Sequence, residues 1–279
     1  MSVSRVETWC PSWDGAHYAA NHDHHRAHDQ WFLDGWTLAP SASVLDVGCG
    51  DGAFTARLAA MAPDGEVVGL DASASMLDRA RVVAGPNQSF VHGSVQDLAA
   101  LLADDDAFDV IVSRACLHWV PRDAHPAMLT QFARLLRPGG VLRVECGGGD
   151  NVARMVALLD DVSSQLGGPT QPWTFLGAGC YLEWVETAGL DPIWVRTVAQ
   201  HRLFDREGVL GWLHSQCFQA YEEGQPAGFA PELRRLVEAR LDEMRHPDGT
   251  FAQTFVRLDV LARAQPATSL TMSPKIDTR

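Results

Sequence analysis

Short apolar runs alternate with helix-period stretches along the first half of the chain. Ser43–Val47, Glu66–Leu70, Ser89–His92, Phe108–Ser113 and Val141–Glu145 are rich in Val, Ile, Leu and Phe and are bounded by Gly, Pro, Asp or Ser. Runs of this kind predict strands. Between them, Ala53–Ala62, Ser73–Val83 and Ala124–Leu136 repeat apolar residues every three or four positions, which predicts helices. Strands separated by helices in this way imply a parallel sheet covered on both faces. After Glu145 the pattern becomes mainly helical, with stretches at Val152–Leu166, Gly179–Ala188, Glu207–Phe218 and Pro231–Met244. Strands are expected at Ile193–Leu203 and Thr250–Leu261. The helices between those last two strands predict a cap over the carboxyl edge of the sheet.

The first strand runs into Gly48-Cys49-Gly50-Asp51-Gly52, which opens the next helix. Glycines at a strand-to-helix turn permit a tight bend and close approach of backbone to a ligand. Asp71 ends the second strand. A carboxylate there accepts hydrogen bonds from the hydroxyls of a ribose. Loop and acid together point to a cofactor with a nucleoside. The same spacing suits a dinucleotide, but Asp46 and Asp51 place negative charge where a pyrophosphate would sit. A sulfonium cofactor, S-adenosylmethionine (SAM), avoids that clash.

Composition narrows the partners. The 279 residues carry 22 Lys+Arg against 35 Asp+Glu, a formal net charge of −13. A nucleic-acid backbone calls for a basic face, so a small molecule is the expected partner. With 46% hydrophobic residues the chain can build a substantial core. No leader-like or membrane-length apolar run is visible, and the six cysteines show no CxxC pair, so the expectation is a cytoplasmic protein with reduced thiols. His24 and His28 lie one helical turn apart in a mixed-charge stretch. A solvated helix face explains them more simply than a metal site, and no metal is assigned.

Four segments carry a resemblance. Val44–Gly52, Val68–Ser73 with Met76-Leu77, Phe108–Val112 with Leu117-His118-Trp119, and Leu136–Gly140 resemble, in order, the motifs of class I SAM-dependent methyltransferases. Trp13, Tyr18, Glu145, Gly147-Gly148, Asn151, Pro172-Trp173 and Trp212 extend the likeness to small-molecule enzymes of the trans-aconitate methyltransferase type. The resemblance implies an α/β, Rossmann-like sheet of seven strands, mostly parallel. It implies a helical arm over residues 1–40 that closes on the cofactor site. The SAM-binding domain would span 41–264, with a cap insertion at about 205–248, and 265–279 would be a flexible tail.

Carried onto this sequence, Asp46, Gly48, Gly50, Asp71, Ala72, Met76, Ser94, Val95, Arg114 and Ala115 would hold SAM. Relatives place an acid at the Ser94 position, and Asp97 is the nearest substitute. The reaction implied is methyl transfer to a small organic acceptor, at a carboxylate or hydroxyl oxygen, by in-line displacement that leaves S-adenosylhomocysteine. A carboxylate needs no base, whereas a hydroxyl does. His118 is the base candidate, with simple packing beside the cofactor as the alternative, and Tyr18 and His22 reach in from the arm. Trp119, Glu145, Trp173, Trp212, His214 and Tyr221 are acceptor-pocket candidates, and Arg143 and Arg196 would suit an acidic acceptor. A monomer or homodimer is expected. Two other activities fit the same loop: a SAM-binding protein that catalyses a cyclisation without methylating, and an NAD-dependent oxidoreductase.

Overall fold

The computed structural model describes residues 31–34, 36–102 and 107–266. Tyr18, His22, His24, His28 and the tail from residue 267 lie outside the described residues. The strands are β1 (Ser43–Val47), β2 (Glu66–Asp71), β3 (Gln88–His92), β4 (Phe108–Arg114), β5 (Leu136–Gly147), β6 (Leu190–Phe204) and β7 (Phe251–Ala264). They form one sheet in the order β3-β2-β1-β4-β5-β7-β6. The pairs among β1 to β5 are parallel, while β7 runs antiparallel to both of its neighbours. The seven-stranded, mostly parallel sheet expected from the sequence is therefore present.

Alternation along the strands creates two cores. Val44, Val67, Val110 and Val112 face helix α1 (Ala53–Met61) and pack on its Phe54 and Leu58, together with Phe32. Leu45, Val47, Leu70 and Ile111 face the other side. They meet Met128, Leu129 and Phe132 of α3 (His125–Leu135) and Tyr181 and Val185 of α5 (Ala178–Thr187). Helix α2 (Ala74–Val82) follows β2, and Ser73 caps it by accepting a hydrogen bond from the Met76 N–H. With both faces covered, short continuous apolar runs suffice as strands.

A third core belongs to the later helices. Met155, Leu159 and Val162 of α4 (Ala153–Gln165) pack with the segment between β6 and β7. That segment holds α6 (Arg206–Trp212), α7 (Phe218–Glu222) and α8 (Phe229–Arg240). The sequence pattern predicts one helix over Glu207–Phe218. Instead a π-helical turn, Leu213–Cys217, separates α6 from α7. Among the described residues no helix is long and apolar enough to cross a membrane.

Arg143 and Arg196 do not face an acceptor. Arg143 is buried, and its Nη1 donates to Asp259 Oδ1 at 2.5 Å. Arg196 Nε donates to the other oxygen of the same carboxylate at 2.7 Å. Arg143 Nε also donates to the Phe32 carbonyl at 3.0 Å, tying the segment before β1 to the sheet. These arginines are structural because β5, β7 and β6 are adjacent and put three charged side chains into one cluster.

Candidate active site

A cavity opens along the carboxyl ends of the parallel strands, where β1 and β4 diverge in chain order. Open α/β sheets bind ligands at this switch point. One end of the cavity is built by the loops after β1, β2 and β3. Gly48 has φ +73°, and a Cβ there would lie 2.4 Å from the Cys116 side chain, so the turn requires glycine. Gly50 has φ +56° and nothing within 4 Å of a would-be Cβ, so its backbone faces open space. Asp71 secures this loop. Its Oδ2 accepts from the Gly50 N–H and its Oδ1 from the Ser73 N–H, each at 2.8 Å. Burial pushes its carboxyl above the usual range despite these hydrogen bonds. Ala72, Met76, Ser94 and Val95 complete the lining here.

The other end is built by β4, β5, β7 and the π turn. Arg114 and Ala115 stand at the end of β4. Ala115 has φ +53°, a left-handed conformation costly for a residue with a side chain. Its N–H donates to the Glu145 carbonyl at 2.7 Å. His118 follows on a 3₁₀ turn, Leu117–Trp119. The Gly147 N–H donates to His118 Nδ1 at 3.3 Å, so in the neutral ring the proton sits on Nε2. Burial and the Arg257 charge lower its pKa to about 3.

Arg257, on β7, also lines the cavity and pairs with buried Glu145. Burial alone would raise the Glu145 pKa. The charges of Arg257, Arg114 and Arg143 and the Arg257 hydrogen bond outweigh it and hold the carboxyl below its usual range. Trp119, Trp173, Phe175, Trp212 and Phe255 supply the apolar wall.

The comparisons with known proteins agree with this geometry. A family described as a methyltransferase domain matches residues 44–140. Trans-aconitate 2-methyltransferase of Deinococcus radiodurans is 34% identical over 192 residues, covering 65% of this chain and 71% of that protein. The Methylobacterium nodulans protein of the same name is 30% identical over 262 residues, covering 90% and 98%. The chain belongs to the class I SAM-dependent methyltransferases. In fold, the enzyme is similar to a candidate methyltransferase from Bacillus halodurans C-125. The TM-score is 0.57 at 18% identity, covering 85% of this chain and 98% of that one.

SAM is the cofactor of this methyltransferase, and the glycine end of the cavity fits it. Gly50 leaves room for a ligand against the backbone. Each Asp71 oxygen has a lone pair left after its backbone bond, which suits two ribose hydroxyls. Met76 and Ala72 offer an apolar bed for a base.

Most of the expected side chains meet in the cavity: Gly48, Gly50, Asp71, Ala72, Met76, Ser94, Val95, Arg114, Ala115, His118, Trp119, Trp173 and Trp212. Others do not line it. Glu145 lies behind Arg257 as its counter-ion. Tyr221 is buried under Trp173 and donates from its hydroxyl to Asp160 at 2.7 Å. His214 turns toward Glu238, 3.3 Å away, because the π turn rotates it from the cavity. Asp97 is also absent from the lining, where its neighbour Gln96 stands instead.

Asp46 is a further correction. It faces α1, is 2% exposed, and accepts from the Thr55 hydroxyl at 2.7 Å, so it supports the loop from behind. Its carboxyl is pushed up to about 7, mainly by burial, with the Asp71 charge adding to the rise and the Thr55 bond opposing it. Asp46 therefore opposes a pyrophosphate less than its sequence position suggests. The folded state holds this proton up to about pH 7, whereas the unfolded chain releases it near the ordinary value of 3.8. The stability contribution is thus complete below the unfolded value and declines as pH rises through that interval. Asp46→Asn should gain on the native chain between pH 5 and pH 8 in urea titrations. An unchanged difference at the two pH values would disprove the shift.

Sequence reasoning missed Phe175, Gln216, Phe255 and Arg257. The alternation of Phe255 and Arg257 along β7 was a usable signal for an inward face. Gln216 had none, since a regular helix would have aimed a different residue inward.

Proposed function

We propose that the methyltransferase esterifies a small carboxylic acid. The charged side chains among the described lining residues carry this reading. Asp71 serves the cofactor end, and the cationic groups of the lining are Arg114, whose guanidinium lies over the Phe54 ring, and Arg257, which pairs with Glu145. Guanidinium groups suit a carboxylate. The relatives' name, trans-aconitate 2-methyltransferase, supports an acid acceptor. In the reaction, a carboxylate oxygen forms the new C–O bond to the methyl carbon as the C–S bond breaks. The bonding pair returns to sulfur, giving the neutral thioether of S-adenosylhomocysteine. An ionised acceptor has no proton to surrender, so alignment and exclusion of water are the enzyme's main tasks.

His118 is then a hydrogen-bond donor rather than a base. With a pKa near 3 it is too weak to take a hydroxyl proton at neutral pH, and its Nδ1 already accepts from Gly147. His118→Gln, which keeps an N–H donor, is expected to hold kcat within about tenfold, whereas losing a true general base costs about 10²–10⁴. In this reading residues 1–40, including Tyr18 and His22, and the insertion at about 205–248 select the acceptor. The test is incubation with SAM and a panel of acids including trans-aconitate, followed by mass detection of methyl esters and S-adenosylhomocysteine. Methyl transfer to hydroxyl, amine or carbon acceptors with no ester would overturn the proposal. Product formation without SAM consumption would do the same.

A further inference from the structure

His118 has one ring nitrogen committed and one open. Its Nδ1 accepts from the Gly147 N–H at 3.3 Å, and its carbonyl accepts from the Thr174 N–H at 2.8 Å. Gly147 reaches this close because it has no side chain. A Cβ there would lie 2.5 Å from Phe175 Cε1 and 3.0 Å from Asn151 Nδ2. The imidazole also packs against Trp119 and Phe175, with centroids 5.5 and 5.9 Å away and planes tilted by 38° and 42°. These contacts fix both its tautomer and its plane.

The proton on Nε2 has no hydrogen-bond partner among the described residues. Nε2 is also not among the polar atoms that are fully enclosed. His118 is deep enough for burial to dominate its charge state, yet part of its surface stays accessible, and it lines the cavity. The open N–H therefore faces the cavity. Donors in such places normally have a partner, so a bound molecule should supply it. In this tautomer Nε2 donates and cannot accept, so it calls for a lone pair. A carboxylate oxygen offers one, and an ammonium group does not.

From this geometry we infer that His118 orients the methyl acceptor: its Nε2–H donates to one oxygen of the acceptor carboxylate and leaves the other oxygen to attack the methyl carbon. The inference rests on the carboxylate reading and deepens it. The attacking oxygen forms its C–O bond as the C–S electrons pass to sulfur, and the oxygen on His118 becomes the ester carbonyl. That oxygen keeps its hydrogen bond but loses negative charge. The bond is therefore stronger before methyl transfer than after it, and removing it acts mainly on KM.

The test measures ester formation by His118→Phe, His118→Leu and His118→Gln. The acceptors are trans-aconitate and whichever acid of the panel the native enzyme esterifies fastest. In the Phe and Leu variants kcat/KM should fall about 10–100-fold, mostly through KM, the effect of one hydrogen bond to a charged group. Gln supplies an amide N–H and should recover most of the loss. Affinity for S-adenosylhomocysteine should stay native-like in all three, which also confirms folding. A nuclear magnetic resonance measurement needs no altered site. In native enzyme labelled with nitrogen-15 histidine, the His118 Nε2–H proton should move downfield when the acid joins bound S-adenosylhomocysteine. The signal is assigned by its absence from His118→Gln.

Native-like kcat/KM in a folded Phe or Leu variant overturns the inference and leaves the carboxylate reading standing. So does a Gln variant as impaired as Leu, a loss confined to S-adenosylhomocysteine affinity, or a proton signal that does not move. Failure of every acid in the panel to form an ester sinks the carboxylate reading and this inference with it.

Discussion

Asp71→Ala should bind SAM about a hundredfold or more weakly than the native enzyme in a calorimetric titration. The carboxylate has two tasks. It accepts the Gly50 and Ser73 N–H groups, each at 2.8 Å, and so holds the glycine turn in shape. In the proposed cofactor site its remaining lone pairs are free to accept from the ribose hydroxyls. Hydrogen bonds to a charged group contribute about 1.5–3 kcal/mol each, so losing two ribose contacts alone accounts for about 3 kcal/mol. The disordered turn adds to that loss. Asp71→Asn keeps one oxygen acceptor but turns an amide N–H₂ toward a backbone N–H. Its affinity should fall between the two. Native-like SAM affinity in the alanine variant would remove Asp71 from the cofactor site.

Asp259→Ala is expected to cause the largest loss of stability, about 3–5 kcal/mol, because it strands the Arg143 guanidinium inside the protein. Arg143 is 1% exposed and Asp259 fully buried. Burial already lowers the Arg143 pKa, and the Asp259 charge is the main opposing influence. The carbonyl oxygens of Phe32, Val144 and Val260 satisfy donors but do not neutralise charge. For a chain of this size the loss corresponds to a fall of about 10 °C or more in Tm. Arg196→Ala should cost about 1 kcal/mol or less, since that side chain is half exposed and Asp259 keeps its buried partner. Equal losses in the two variants, by thermal unfolding, would show that the cluster is not organised around Arg143.

The cofactor half was legible in the sequence because its signals are local. A strand, a glycine turn and an acid at the next strand end lie within residues 43–71, and their spacing follows from chain geometry. The acceptor half was less legible because its contacts join distant parts of the chain. Glu145 looked like a pocket carboxylate until Arg257, 112 residues later, proved to be its partner. His118 stood out as a base candidate, beside a packing role, because Leu117-His118-Trp119 follows the fourth strand at the functional edge of the sheet. A backbone N–H from Gly147 decides its tautomer, and no residue-type pattern reports that. Tyr221 and His214 were misplaced for a third reason. A helical wheel assumes a constant 3.6-residue period, and the π turn at Leu213–Cys217 breaks it.

The position of β7 governs how the chain is put together during synthesis. β6 pairs with no described strand but β7, and β7 separates it from β5. As the chain leaves the ribosome, β6 therefore emerges with both edges open and must wait until residues 251–264 follow. At about 5–20 residues per second, the 46 residues from the end of β6 to the start of β7 (Asp205 to Thr250) take about 2–9 s to synthesise. Through that interval a 15-residue strand carrying Ile193 and Leu203 is available to neighbouring chains. Arg257 arrives with the strand that closes the gap, so the cavity is completed only once this aggregation-prone edge has been covered.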